Sequence, residues 1–308
     1  MAIIRPRLID YFDIPITQEE VDFAIPFLDE DIPLYLDPFL LWKSPSQQDN
    51  ALHFFLISAF NQLGRMSLDD NARASKSLIE LSECSEVGLG NGKTKKGLRI
   101  SAETAHEVLE LFSSIPQVKM RGFSHLEEIQ LYVNFISKDR VSDISCNLVK
   151  SFLIDFTQDQ CIKHNIPTRE FHHFPVFDVK SSKFDFESVK LPYNPEESEP
   201  IILVPKRWLR YTPWINYEDY FKNAFIVEGS ENDLEKAHVL NYNRNHYDMV
   251  SAFVASRERA KSDCKNDPMF KQIPVTSAKK CLDTITNLPI GKTNNADKKY
   301  EDNCARLM

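Results

Sequence analysis

Asp178-Val179-Lys180 closes the run FPVFDVK, and its D-x-K form is one that metal-dependent phosphodiester cleavage uses. Two acids hold a divalent cation there, and a lysine orients water or neutralises developing charge. Asp139 or Asp143 supplies an upstream acid, so a Mg²⁺-dependent nuclease built on Asp143, Asp178 and Lys180 is one reading of these residues. The motif is short, and an Asp and a Lys at a strand end are ordinarily solvated, so it needs structural context before it counts. A second group is cationic. The stretch 85–99 carries Lys93, Lys95, Lys96 and Arg99 among four of the eight glycines, a composition that lets backbone amides and cations approach a phosphate backbone. A mobile surface loop explains the same residues. Lys206 and Arg207 follow IILVP with Trp208 and Trp214 close by, the cation-plus-aromatic pairing of single-strand binders. A buried tryptophan anchor with snorkelling bases is the structural alternative and the favoured one.

Other chemistry fails its spacing tests. Two GKT tripeptides, at 92–94 and 291–293, lack the glycine that a phosphate-binding loop places five residues earlier, where Val87 and Thr286 stand. His164, His172 and His173 have no metal-ligand spacing, and the six cysteines form no CxxC pair, which leaves reduced thiols as the expected state. No GxSxG elbow supports a covalent hydrolase.

The whole chain of 308 residues has a formal net charge of -8, which argues against a surface that coats nucleic acid throughout. That average hides an asymmetry. Residues 257–308 hold eleven Lys and Arg against seven Asp and Glu, whereas residues 1–50 hold ten acids and three bases. A basic end on an acidic body fits a polyanion-facing C-terminus, and a solvated lysine-rich surface fits equally. The start of the chain lacks the apolar run of a signal peptide and no stretch has the length of a membrane span, so the expected location is the cytoplasm, with no membrane partner.

The elements that must carry these residues read as helical in front. Thr17 with Glu20 forms a capping box before VDFAI, and Asp37-Pro38 opens a helix at FLLW. Residues 47–63 present a broad apolar face that Gly64 should end. Helices follow at 69–81, from Ser101, and after Ser124, whose capping partner is Glu127. Residues 143–164 form the longest helical pattern, with Ser142 or Asp143 as its cap. Beyond Pro167, FHHFPVFDV, KFDFESVKL and EPIILVP read as short strands of an antiparallel sheet, and helices return at 216–225, 233–240, 243–261 and 277–285. The fold class is α+β: a predominantly helical front, then a small antiparallel sheet with packed helices. The expected units are a helical domain over 1–137, an α+β domain over 138–265, a linker and helix over 266–294, and a final helix over 295–308. In that helix Ala296, Tyr300, Cys304, Leu307 and Met308 form an apolar stripe with no terminating residue.

Four stretches carry a resemblance: DRVSDISCNLVKSFLIDFTQDQC (139–161), PIILVPKRWLR (200–210), NYEDYFKNAF (216–225) and NADKKYEDNCARLM (295–308). They resemble a family of prokaryotic proteins, often encoded near phage-defence genes, whose longer members end in a restriction-endonuclease-like PD-(D/E)XK nuclease domain. None of the matching segments is itself catalytic. The final segment resembles the opening helix of such a nuclease, which implies that Glu301 is the first-helix acid and that the D…ExK strands would come after it. The resemblance thus implies a truncated, non-catalytic regulatory or target-sensing region of a DNA endonuclease in phage defence. DNA and a nuclease module are its implied partners, and Mg²⁺ belongs to the complete nuclease. The alternative is a self-contained interaction protein that assembles with a separate nuclease or ATPase.

Overall fold

Asp37 and Pro38 begin a helix as the Asp-Pro pair predicts, because Asp37 Oδ1 accepts the Phe39 N–H at 3.1 Å while proline fills the first helical position. The computed structural model describes residues 7–28, 30–90, 97–225, 235–260, 285–289 and 296–307. In chain order its elements are α1 (Leu8–Tyr11), β1 (Tyr35–Leu36), α2 (Pro38–Lys43), α3 (Gln47–Met66), α4 (Asn71–Leu81), α5 (Ala102–Ser114) and α6 (Pro116–Arg121). Then come α7 (Lys138–Leu148), α8 (Lys150–His164), β2 (Arg169–Asp178), β3 (Lys183–Leu191), β4 (Leu209–Arg210), α9 (Tyr217–Tyr220), α10 (Lys236–Asn245), α11 (Tyr247–Arg259) and α12 (Ala296–Leu307). Short 3₁₀ turns cover Ser85–Val87, Leu126–Leu131 and Lys206–Trp208, and a π-helical turn, Phe221–Phe225, extends α9. The fold is α+β, mostly helical with two antiparallel pairs of strands.

The strand pairs do different work. β2 and β3 form a hairpin with a bulge between Phe171 and Phe174, where His173 takes a positive φ of 57°. β1 and β4 pair Tyr35 with Arg210 and Leu36 with Leu209, which ties the front of the chain to a segment more than 170 residues later. Around that tie lies one apolar core that includes Leu36, Phe60, Phe112, Ile144, Trp208, Tyr220 and Phe253. A smaller cluster joins Leu8, Phe23 and Ile25 to Cys161, Ile201 and Leu203.

The expected boundary at 137/138 falls inside the larger core and is not a seam. Val141 and Ile144 are fully buried, and α7 packs on β1 and α4, so the front helices and α7 need one another to cover their apolar faces. The expected linker at 266–294 lies outside the described residues except for 285–289.

Several elements differ from the sequence reading for identifiable reasons. Gly64 does not end α3, which runs on to Met66. A Cβ at Gly64 would lie 2.2 Å from the Phe112 ring, so this glycine allows α3 and α5 to cross closely. Thr17 and Glu20 make their capping bonds, Thr17 N–H to Glu20 Oε2 at 2.8 Å, yet only a turn follows. The pattern over 143–164 splits at Val149, and Asp143 sits within α7 rather than capping a longer helix. IILV forms no ladder, although all four residues are buried. Its alternation puts Ile202 and Val204 in the larger core and Ile201 and Leu203 in the smaller one. Single bonds satisfy its backbone: the Ile202 N–H reaches Glu86 O at 2.8 Å and the Leu203 N–H reaches Thr157 Oγ1 at 2.9 Å.

Candidate functional site

Asp178 lies at the end of β2, and its carboxylate closes the hairpin turn. Oδ1 accepts the Lys180 N–H at 3.1 Å and Oδ2 accepts the Ser181 N–H at 2.9 Å. The Ser181 hydrogen bonds hold this carboxyl below its ordinary range, with those from Lys180 adding to the effect. The turn is then docked on the helices. Gln62 Nε2 donates to Val179 O at 3.1 Å, Ser77 Oγ to Ser182 O at 2.8 Å, and the Arg73 guanidinium to Ser181 O.

Asp143 belongs to a separate cluster. It is buried in α7, where Arg140 Nη1 reaches Asp143 Oδ2 at 3.2 Å, Glu83 Oε2 at 3.1 Å and Ser82 O at 3.0 Å. Burial and then the charges of Asp139 and Glu83 drive its carboxyl well above the usual range, against the pull of Arg140. Magnesium requires several oxygen ligands converging on one point in octahedral geometry. Asp143 and Asp178 do not converge, since an arginine holds one and turn amides hold the other, and Lys180 is part of that turn. Among the described residues no three His, Cys, Asp or Glu side chains are grouped to hold a metal ion. The Asp143, Asp178 and Lys180 set does not fit Mg²⁺.

The cationic turn is a staple. Lys206 Nζ donates to the carbonyls of Gln18 and Glu19, both at 3.3 Å. Arg207 closes its fork on buried Asp49, with Nη2 to Oδ1 at 2.8 Å and Nε to Oδ2 at 3.0 Å, and lies over the fully buried Trp208 ring at 5.1 Å. Both cations are therefore engaged within the fold. Of the glycine-rich loop, Arg99 is described and exposed, while Lys93, Lys95 and Lys96 lie outside the described residues. Glu301 falls on α12, and its side chain lies outside the described residues.

A further buried polar arrangement, between α2 and the 126–131 turn, is one that sequence reasoning missed. Asp37 and Glu127 are both fully buried and adjoin as a carboxyl pair. The Phe39 N–H is shared by Asp37 Oδ1 and Glu127 Oε1, the latter at 2.7 Å, and Asp37 Oδ2 accepts the Trp214 N–H at 2.8 Å. Burial raises both carboxyls, Glu127 far more, because it also feels the Asp37 charge and hydrogen-bonds to it. The two carboxyls therefore titrate as a pair, and among the described residues Glu127 Oε2 meets no hydrogen-bond donor. One residue along, Glu128 Oε1 accepts the N–H groups of Ser124 and His125 at 2.9 and 2.8 Å, and burial pushes this carboxyl up to about 7. The cap expected of Glu127 is thus made by Glu128, which frees Glu127 to turn inward.

Two histidines complete the seam. His125 Nε2 meets Glu258 Oε1 at 3.0 Å, and the His53 ring lies 5.2 Å from that of His125, centroid to centroid. Phe39 and Trp42 cover His125 at 5.1 and 5.4 Å. The only sequence signal was His53 itself, a polar residue within the apolar stretch LHFFLI. Nothing local pointed to its partner.

This arrangement of two strand pairs, a helical core and a buried acid–histidine seam defines an α+β unit whose polar groups mainly hold its elements together. The chain belongs to a family defined by a domain of unknown function, DUF8370, whose model matches residues 13–216 and so spans the 137/138 position without a break. No curated protein and no solved structure matches the chain.

Proposed function

We propose that this chain is a non-catalytic regulatory or target-sensing region that works with a restriction-endonuclease-like DNA nuclease in prokaryotic anti-phage defence. The observation that supports the reading is the commitment of the catalytic-looking acids. Asp178 gives both oxygens to its own turn and Asp143 is buried against Arg140, so neither is poised over a shared metal. The link to a nuclease and to defence rests on the resemblance of segments 139–161, 200–210, 216–225 and 295–308. DNA cleavage belongs to the module with which the chain acts, and Mg²⁺ belongs to that module too. No described helix is long and apolar enough to cross a membrane.

The test is direct. The purified chain is incubated with plasmid, linear and single-stranded DNA in Mg²⁺ and in Mn²⁺, and the expected outcome is intact DNA. Cleavage that Asp178→Ala abolishes would overturn the proposal and restore the D-x-K site. A pull-down from the native host then separates a nuclease partner from an ATPase partner.

A further inference from the structure

The last turn of α11 is held differently from the rest of that helix. Val250, Phe253 and Val254 bury its first turns, but no residue after Val254 is buried. Four polar contacts from three places in the chain hold the end instead, one of them the ion pair of Arg257 with Asp219. Lys43 Nζ donates to the Glu258 carbonyl at 2.8 Å, Trp214 Nε1 donates to the Arg257 carbonyl at 3.2 Å, and His125 Nε2 donates to the Glu258 carboxylate at 3.0 Å. A carboxylate only accepts, so a neutral His125 must carry its proton on Nε2 and leave Nδ1 bare. Among the described residues Nδ1 has no partner, and neither does either ring nitrogen of His53. The rings are 1% and 2% exposed, so any added proton would be buried without an acceptor.

We propose that the last turn of α11 is a proton-operated latch, closed on neutral His125 and released when His53 and His125 take up protons. The surrounding charges explain why release follows. On α2, Asp37 is bound to Glu127 and Lys43 points to the Glu258 carbonyl. On α3, Asp49 is closed on Arg207, and in the 126–131 turn Glu128 is closed on backbone amides. From the 209–220 segment, Arg210 faces Asp37 and Asp219 pairs with Arg257. Glu258 is the one carboxylate that reaches either ring among these groups. It can match one imidazolium, on His125. A second, on His53, would sit 5.2 Å away with no counter-charge. Moving the helix end aside hydrates both rings at the loss of three hydrogen bonds and the Arg257–Asp219 ion pair, and of no buried apolar side chain.

The sign follows from linkage. Burial lowers both imidazoles, His53 to about 3, whereas a hydrated imidazole titrates near ~6.5. The closed state is therefore fully favoured above that value and loses ground as pH falls. With one extra proton bound by His53 on opening, the opening equilibrium rises about thirtyfold between pH 7.5 and 5, and any uptake at His125 adds to it. This holds whatever module the chain works with.

Hydrogen exchange of the whole chain, corrected for intrinsic rates, tests it by comparing 255–260 with α5 across that range. The expected result is loss of protection confined to 255–260 of about thirtyfold or more, with a much flatter slope in His53→Phe, which keeps an aromatic ring and removes that proton site. Parallel exchange of the two segments at every pH, or an unchanged slope in His53→Phe, would overturn the latch. Should that variant fail to fold, imidazole ¹⁵N spectra of the native protein decide. Two neutral rings at pH 5.5, with His125 protonated on Nε2, support the latch, and an imidazolium at His53 while α11 stays protected refutes it.

Discussion

The hairpin turn at Asp178 and the helix seam at Asp37 and Glu127 use the same functional group under opposite conditions. At the turn, a solvated carboxylate accepts amides two and three residues away and is held in its charged form. In the seam, Glu127 accepts an amide 88 residues distant and is pushed toward its neutral form by burial and by the second carboxyl beside it. The difference teaches that a carboxylate's chemistry here is decided by what packs over it. The residue pattern around it does not settle the matter: D-x-K looked like a metal site and is a turn, while Glu127 looked like a helix cap and is half of a proton-sharing pair.

The largest expected effect comes from the seam. Asp37→Ala orphans the half-buried Trp214 N–H, leaves the Phe39 N–H with one acceptor instead of two, and removes the cap of α2, so urea unfolding should show a loss of about 3–5 kcal/mol. A loss under about 1 kcal/mol would mean that water replaces the carboxylate there and that the seam is not the dry site its burial describes.

Glu127→Gln is subtler and tests protonation itself. The amide can still donate to Asp37 and accept from Phe39, so stability at pH 5 should stay within about 1 kcal/mol of the native protein. A carboxyl raised by folding adds stability that is complete below its unfolded value, near ~4.5, and is lost as pH rises toward the folded value. As pH rises above ~4.5 the native protein should therefore lose this contribution to stability. The Gln variant should lose much less. Identical pH profiles for the two would place the proton elsewhere.

At the small end, Asp178→Ala should move the melting temperature by no more than about 2 °C, since water and the docking bonds from Gln62, Arg73 and Ser77 still hold the turn. A shift as large as that of Asp37→Ala would erase the distinction between the two regions.

Much of the local structure was legible in the sequence. Asp37-Pro38, Ser101 and the two β-rich runs each appear where their side chains or alternation predicted them, because a cap or a hairpin register is satisfied within a few residues. Gly64 was misread for want of Phe112, which lies 48 positions later and gives this glycine its role. IILV was read as a ladder strand, but its period of two serves two cores at once. The candidate site was less legible still. Lys206 and Arg207 carried the right chemistry for an anion, and only the packed chain shows Arg207 closed on Asp49.

By itself, then, the sequence determined the α+β class, the starts of α2 and α5 and the two β-rich runs, since these depend on contacts a few residues apart. Tertiary structure alone decided that Glu127 is pushed toward its neutral form, that His53 and His125 are buried, and that Lys43 reaches across 215 residues to the end of α11. The physical reason is desolvation. A charge's cost depends on the groups that exclude water from it, and those groups come together only when α2, α3, the 126–131 turn and α11 pack.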